Sequence, residues 1–270
     1  HWFTPKYYFL RREFKMPNYV RNIIKMEGIA NLPLFSEHDG EKQFDFNKLI
    51  PMPTELNVVE GSLTDEAIVY YLTERCSIPI SALDQPRTAL LNTLVRGATI
   101  DNWPEEVFRR NSEKMAAADE SEREALYNAG RQYVSNYEQY GATTWYGWSI
   151  RNWGTKWNAC ETWIIDDDTI IFETAWSSPL PILRKLIELY PQFRIELWWA
   201  DEDVAQNTGH YLYENGEEKL ECFSGDREAY ALYTKCWGEC DWVYIDEDGN
   251  LQYREDDTSD GLNPEPDTEA

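Results

Sequence analysis

The chain has 270 residues, 42% hydrophobic and 14% aromatic, enough apolar side chain for one large or two small folded domains and enough to exclude wholesale disorder. No stretch approaches the roughly 20 apolar residues of a membrane-spanning helix, which argues against a membrane protein. Net charge is −24: residues 1–25 carry six bases and one acid, residues 246–270 carry ten acids and one base, and the 220 between them carry −20, a body that repels phosphate backbones and attracts basic proteins.

Residues 1–15 mix aromatics with Lys6, Arg11, Arg12 and Lys15 and have no apolar core or small-residue cleavage site, so they do not read as a secretory signal. Met16-Pro17-Asn18 has the form of a translational start, and residues 1–15 are read as a basic and aromatic extension. Tyr19–Met26 is a predicted strand with Val20, Ile24 and Met26 on one face, Arg21 and Lys25 on the other, and Asn22 interrupting the apolar side. Phe44–Asn47 leads into Ile50-Pro51-Met52-Pro53, where the prolines block regular pairing and predict an extended, packed segment.

Helices dominate the next hundred residues. Thr64 is read as the cap of one, Pro104 sits in the first turn of another, and 121–140 repeats Leu126, Ala129, Tyr133, Tyr137 and Tyr140 at helical spacing, with Gly141 as the stop. Thr144 caps a short helix ending at Gly154. Ala159–Ile165 and Thr169–Trp176 read as a hairpin across Asp166-Asp167-Asp168, and Ser178-Pro179 opens a helix that Pro191 ends. Phe193–Trp199 alternates, with Arg194, Glu196 and Trp198 facing outward. A hairpin over His210–Phe223 turns at Glu214-Asn215-Gly216, residues 226–238 are helical, and Trp242–Tyr253 pairs across Asp248-Gly249. From 255 to 270 the pattern predicts a disordered acidic tail.

With the helical stretch at about 62–153 set aside as an insertion, the order is strand, helix, hairpin, helix, strand within one domain over 16–254. That predicts an α+β fold: a ferredoxin-like, split β-α-β antiparallel sheet with a helical insertion and a C-terminal hairpin extension. Eight of the twelve tryptophans fall between Trp145 and Trp199, where they are read as core. Met16-Pro17-Asn18-Tyr19, Asp45–Pro53, Asn152–Ala159 and Thr174-Ala175-Trp176, taken together over residues 16–200, resemble the YubB ferredoxin-like domain family of plasmids and phages. That resemblance implies the fold alone, with no iron–sulfur cluster, no established activity and no catalytic residues to transfer.

The candidate residues each have a plainer reading beside the functional one. Asn152, Trp153, Gly154, Thr155, Lys156, Trp157 and Asn158 form the most distinctive run, and Lys156 between two indoles suggests an anion-binding lysine. It lacks the glycine-rich loop of a phosphate site, and a cation held by indole faces accounts for it. Cys236, Cys240, Cys222 and His210 lack the second tight pair of a zinc site, and five scattered cysteines fit reduced thiols in a cytoplasm. Asp246–Asn250 starts like a calcium loop but has Leu251 where that loop has glycine. Glu161 and Glu173 stand on opposing strands, while His38 and His210 have no nucleophile in a recognisable motif. Trp198 on an open sheet face invites comparison with RNA-binding modules, yet its neighbour Glu196 repels phosphate.

No catalytic residue, cofactor or metal is assigned. The leading expectation is a cytoplasmic, non-enzymatic accessory protein of a phage or mobile element that binds a basic host, defence or nucleic-acid-handling protein through its acidic surface, a counter-defence role included. A nucleic-acid-binding module using the sheet and the basic N-terminal segment is the alternative. An enzyme whose site is assembled from residues far apart in sequence is the third.

Overall fold

Tyr19–Met26 forms β1, and its alternation decides what each side of the sheet buries. The computed structural model describes residues 18–38, 40–95 and 102–254; the extension at 1–15 and the tail at 255–270 lie outside the described residues. The described chain divides into a sheet unit (18–32, 160–178 and 190–254) and a helical unit (33–38, 40–95, 102–159 and 179–189).

In the sheet unit β1 lies between β5 (Thr169–Ala175) and β6 (Ile195–Asp201). β4 (Cys160–Ile164) pairs outside β5, while β7 (Thr208–Glu214) and β8 (Glu217–Phe223) extend the other side, giving the order β4-β5-β1-β6-β7-β8, antiparallel throughout. Its first four strands have the arrangement expected of a split β-α-β fold, so the ferredoxin-like α+β class holds. The β7–β8 hairpin adds to the sheet edge, with Asn215 and Gly216 at φ 55° and 84°, the left-handed pair that a two-residue turn requires.

One face of β1 buries Val20, Ile24 and Met26, in line with Ile170, Phe172, Leu197 and Trp199 on its neighbours. Asn22 sits fully buried among them because its amide donates to Val20 O and Thr174 Oγ1, both at 2.9 Å. The opposite face is covered by helix α7 (Arg227–Trp237), capped by Asp226, which accepts from Ala229 N at 2.7 Å. Ile23, Ala200, Tyr233, Cys236, Cys240 and Val243 form the core beneath it. β9 (Val243–Ile245) and β10 (Leu251–Tyr253) make a separate hairpin.

The helical unit is organised around α1 (Ser62–Leu72). Ala67, Ile68, Val69 and Tyr70 are all buried, so the second half of α1 is enclosed by apolar packing, and the helix packs against α2 (Gln85–Leu94), α3 (Trp103–Ala117) and α4 (Glu120–Tyr140). Thr64 is not its cap: the helix begins two residues earlier, and Thr64 Oγ1 accepts from Gly61 N. α4 runs from an Asp119 cap to Gly141 and meets α1 at Gly130. α5 (Trp145–Asn152) ends short of Gly154, and the Thr144 hydroxyl bonds to Glu60 instead of capping the helix. α6 (Leu180–Leu189) completes the unit.

A hairpin absent from the sequence reading, β2 (Phe35–His38) with β3 (Glu41–Phe44), precedes a 3-10 turn at Phe46–Lys48 where an extended segment was expected. Asp45 causes the difference by capping that turn, accepting from Asn47 N at 3.0 Å. No helix among the described residues is long and apolar enough to cross a membrane.

Candidate functional site

The run Asn152–Asn158 is a folded corner of the helical unit. Trp153 is buried, donates Nε1–H to Ile50 O at 2.9 Å and meets Trp148 and Phe46 edge-on at 5.4 and 5.8 Å. Gly154 turns the chain at φ 80°, and Thr155 is buried. Asn152 Nδ2 returns to Trp148 O at 2.9 Å. Asn158 ties the corner to the 3-10 turn: its Oδ1 accepts from Phe46 N at 2.8 Å, and its Nδ2 donates to Asp45 Oδ1 at 2.7 Å. Burial raises the Asp45 pKa, but hydrogen bonds from Ser36, Asn158 and Asn47 outweigh it and hold the carboxyl below its ordinary value. Lys156 Nζ lies 4.5 Å from the Trp157 ring centroid. The residues of the run thus hold one another and the loop at 45–50.

Trp198 belongs to the sheet unit, on the face beneath α7. Two polar-aromatic clusters lie there. Arg21 is held between Trp237 at 3.9 Å and Trp163 at 5.2 Å and pairs with Glu173 at 2.6 Å. Trp198 stacks on His210 with centroids 5.4 Å apart, and Lys235 Nζ lies 4.0 Å from its ring centroid. His210 Nε2 is 2.8 Å from Glu196 Oε1, and Arg194 also bonds to Glu196. The strand registers assemble this layer by setting Arg21 beside Glu173 and Trp198 beside His210. A base-stacking surface would need that indole face open, whereas here a lysine and an imidazole occupy it. Outward alternation gave the direction of Trp198 correctly; nothing in the sequence signalled that α7 would return over it.

The remaining candidates separate in space. Glu173 is taken by Arg21, while Glu161 sits in a β-bulge at φ 46°. His210 is directly opposite Glu221 and Gly209 opposite Cys222, so His210 and Cys222 point to different faces. Cys236 is buried, and desolvation pushes its thiol up to about 12 despite Lys235 and Arg21 nearby. Asp246 holds the β9–β10 turn by accepting from Asp248 N and Asn250 N at 3.0 and 2.8 Å.

Sequence reasoning missed a groove of about 620 Å³ in the helical unit, lined by Tyr71, Arg75, Arg87, Tyr127 and Arg131 among others. Arg75 rises from three consecutive left-handed residues, Glu74, Arg75 and Cys76. Its charge is met by Glu120 and Glu124, and that of Arg87 by Glu74 at 2.7 Å, so two of the three arginines lining the groove are already paired.

The sheet unit holds most of the charge. Its described residues carry 7 bases against 21 acids, a net of −14, whereas those of the helical unit carry 13 against 18, a net of −5. Of the seven bases, Arg21, Arg194 and Lys219 are in ion pairs and Lys235 lies over Trp198.

Residues 152–235 match the family model for the ferredoxin-like domain in Api92-like protein. The matched segment covers β4 through β8 and most of α7, less than a third of the chain. β1 lies outside it, although it pairs between two of the matched strands. No curated protein matches the chain. A crystal structure of a protein api92 from Yersinia pseudotuberculosis aligns over 77% of this chain and 98% of its own, with 11% identity and a TM-score of 0.31, a likeness too slight to argue from.

These findings correct the resemblance to the YubB family, for which no match is found. Two of the segments behind it, at 16–19 and 45–53, fall outside the matched residues. The other two serve packing: Trp153 and Asn158 fasten a corner, and Thr174 Oγ1 accepts from Asn22 Nδ2. Residues fixed by packing report a fold more readily than a family.

Proposed function

We propose that this chain is a binding protein whose acidic sheet unit engages a basic protein surface. The observation that carries the reading is the net −14 of that unit's described residues, with five of its seven bases already engaged inside it, Arg254 over Tyr244 included. Carboxylates in that excess draw a basic partner over a Debye length of about 8 Å at physiological salt and repel phosphate. The covered indole of Trp198 supports a protein partner over a single-stranded nucleic acid stacked on the sheet. The mobile-element origin rested on the overturned resemblance and is not carried forward.

The test is retention of basic proteins from a lysate on the immobilised full chain across a salt series. The expected result is capture at low salt that falls steeply as salt rises. Failure to retain any basic protein at low salt, or a mobility shift of single-stranded RNA or DNA under the same conditions, sinks the reading.

A further inference from the structure

Three arginines from three separate elements converge on the groove of about 620 Å³ in the helical unit. Arg75 stands on the turn after α1, Arg87 in the first turn of α2 and Arg131 on α4. The turn is pinned, with Arg75 N donating to Tyr70 O at 2.8 Å and Ile78 N to Thr73 O at 3.0 Å. Its three consecutive left-handed residues form a costly backbone of the kind kept where a side chain must be presented. Arg75 Cζ lies 5.0 Å from the Tyr127 ring centroid, and Tyr71 meets the same ring edge-on with centroids 5.2 Å apart. Arg131 follows Tyr127 by one turn of α4, about 6 Å along the axis. It is exposed, and among the described residues its guanidinium has no partner. Arg75 gives one nitrogen to Glu120 and another to Glu124, while Arg87 gives one to Glu74. A guanidinium has five N–H donors, so donors remain on both, and such exposed pairs hold their partners weakly.

We propose that this groove binds a small polyphosphate, whose successive phosphates span the guanidinium groups of Arg75, Arg87 and Arg131. Arginine's planar fork matches phosphate oxygens two at a time, and a chain of phosphates reaches three such forks where a single carboxylate reaches one. The volume is that of a small-molecule site. Glu74 and Glu138 also line the groove, and Glu120 and Glu124 stand behind Arg75, in a unit whose described residues have a net charge of −5. That rim of carboxylates repels each further phosphate of a long nucleic acid strand, so the surroundings select a short ligand. The site is independent of the acidic-surface reading, which stands or falls without it.

The experiment is titration calorimetry of the full chain at low salt, without divalent cations, using inorganic triphosphate, ATP and citrate. Triphosphate binds, and citrate binds about tenfold more weakly or worse, a difference of about 1.4 kcal/mol. ATP binding more tightly than triphosphate assigns the phosphates to a nucleotide whose base lies against the tyrosines; equal binding assigns them to a bare phosphate chain. Either result supports the site. Arg131→Ala weakens triphosphate by a similar factor of about ten, with the far-ultraviolet circular dichroism of the wild type. Arg109→Ala removes the same charge from α3, outside the groove, and leaves binding unchanged. The citrate comparison needs only the wild type, so it stands if a variant misfolds. No binding of either phosphate ligand overturns the proposal, as does citrate binding as tightly as triphosphate. Equal losses in Arg131→Ala and Arg109→Ala reduce it to general electrostatics and overturn it, and unchanged binding by Arg131→Ala does the same. Tighter binding of a single-stranded RNA than of triphosphate assigns the groove to nucleic acid instead.

Discussion

Arg21 shows how a residue's role depends on what folds over it. On β1 alone it reads as one of the solvent-facing bases of an amphipathic strand. In the fold it is the cation in a stack between Trp163 and Trp237, with its charge met by Glu173, whose side chain is 11% exposed. Arg21→Ala removes a partly desolvated cation–π contact and strands that carboxylate. The expected cost is about 3 kcal/mol, read as a lower urea midpoint. Arg21→Lys recovers little, because an ammonium lacks the planar fork that stacks and pairs together.

Asp45 provides a pH-dependent counterpart. Its folded-state pKa is depressed, so its contribution is complete above the ordinary carboxylate value near 3.9 and disappears as pH falls through the lower, folded value. Asp45→Asn is expected to lower stability by about 1–2 kcal/mol at neutral pH. It should also flatten the decline in the wild type's melting temperature under acid titration. A parallel decline in both proteins would show that the carboxylate contributes no net stability.

At the scale of elements, α1 and α4 approach closely at Gly130. A Cβ added at Gly130 would lie 2.0 Å from Ala67 O and 2.6 Å from Tyr71 Cβ, and the first of these is backbone. Gly130→Ala therefore forces the helices apart, at a cost of about 3 kcal/mol measured by denaturant unfolding. The end of α4 was legible because Gly141 stops a long helical period, whereas the Asp119 cap at its start was not read from the sequence. β1 was legible for a similar reason, since its alternation is local. The β2–β3 hairpin was overlooked although Asp39-Gly40, the dipeptide between its paired strands, is a strong hairpin signal, because the flanking residues of Phe35–Phe44 carry no alternating apolar pattern. The start of α1 was misplaced at Thr64 because a threonine before two acids imitates a cap; here the same hydroxyl accepts from Gly61 N from inside the first turn.

Across the whole molecule, the net charge of −24 makes the folded state repel itself, most strongly in the sheet unit. Raising salt from about 10 to about 150 mM should raise the melting temperature by screening that repulsion. A fall over the same range would mean that specific ion pairs outweigh the general repulsion. The sequence by itself determined the ferredoxin-like α+β class, the sheet's strands and the acidity, because periodicity, turn chemistry and charge are local or additive properties. Only tertiary structure decided that α7 closes the face bearing Trp198, that Arg21 becomes an interior cation, and that one sheet edge, β8, is charged while the other, β4, exposes Trp163 and Ile164. Those outcomes depend on residues far apart in the chain meeting in space, 37 positions for Trp237 and Ala200 and 152 for Arg21 and Glu173, and no local pattern records which strand will be last in the sheet or which helix will return over it.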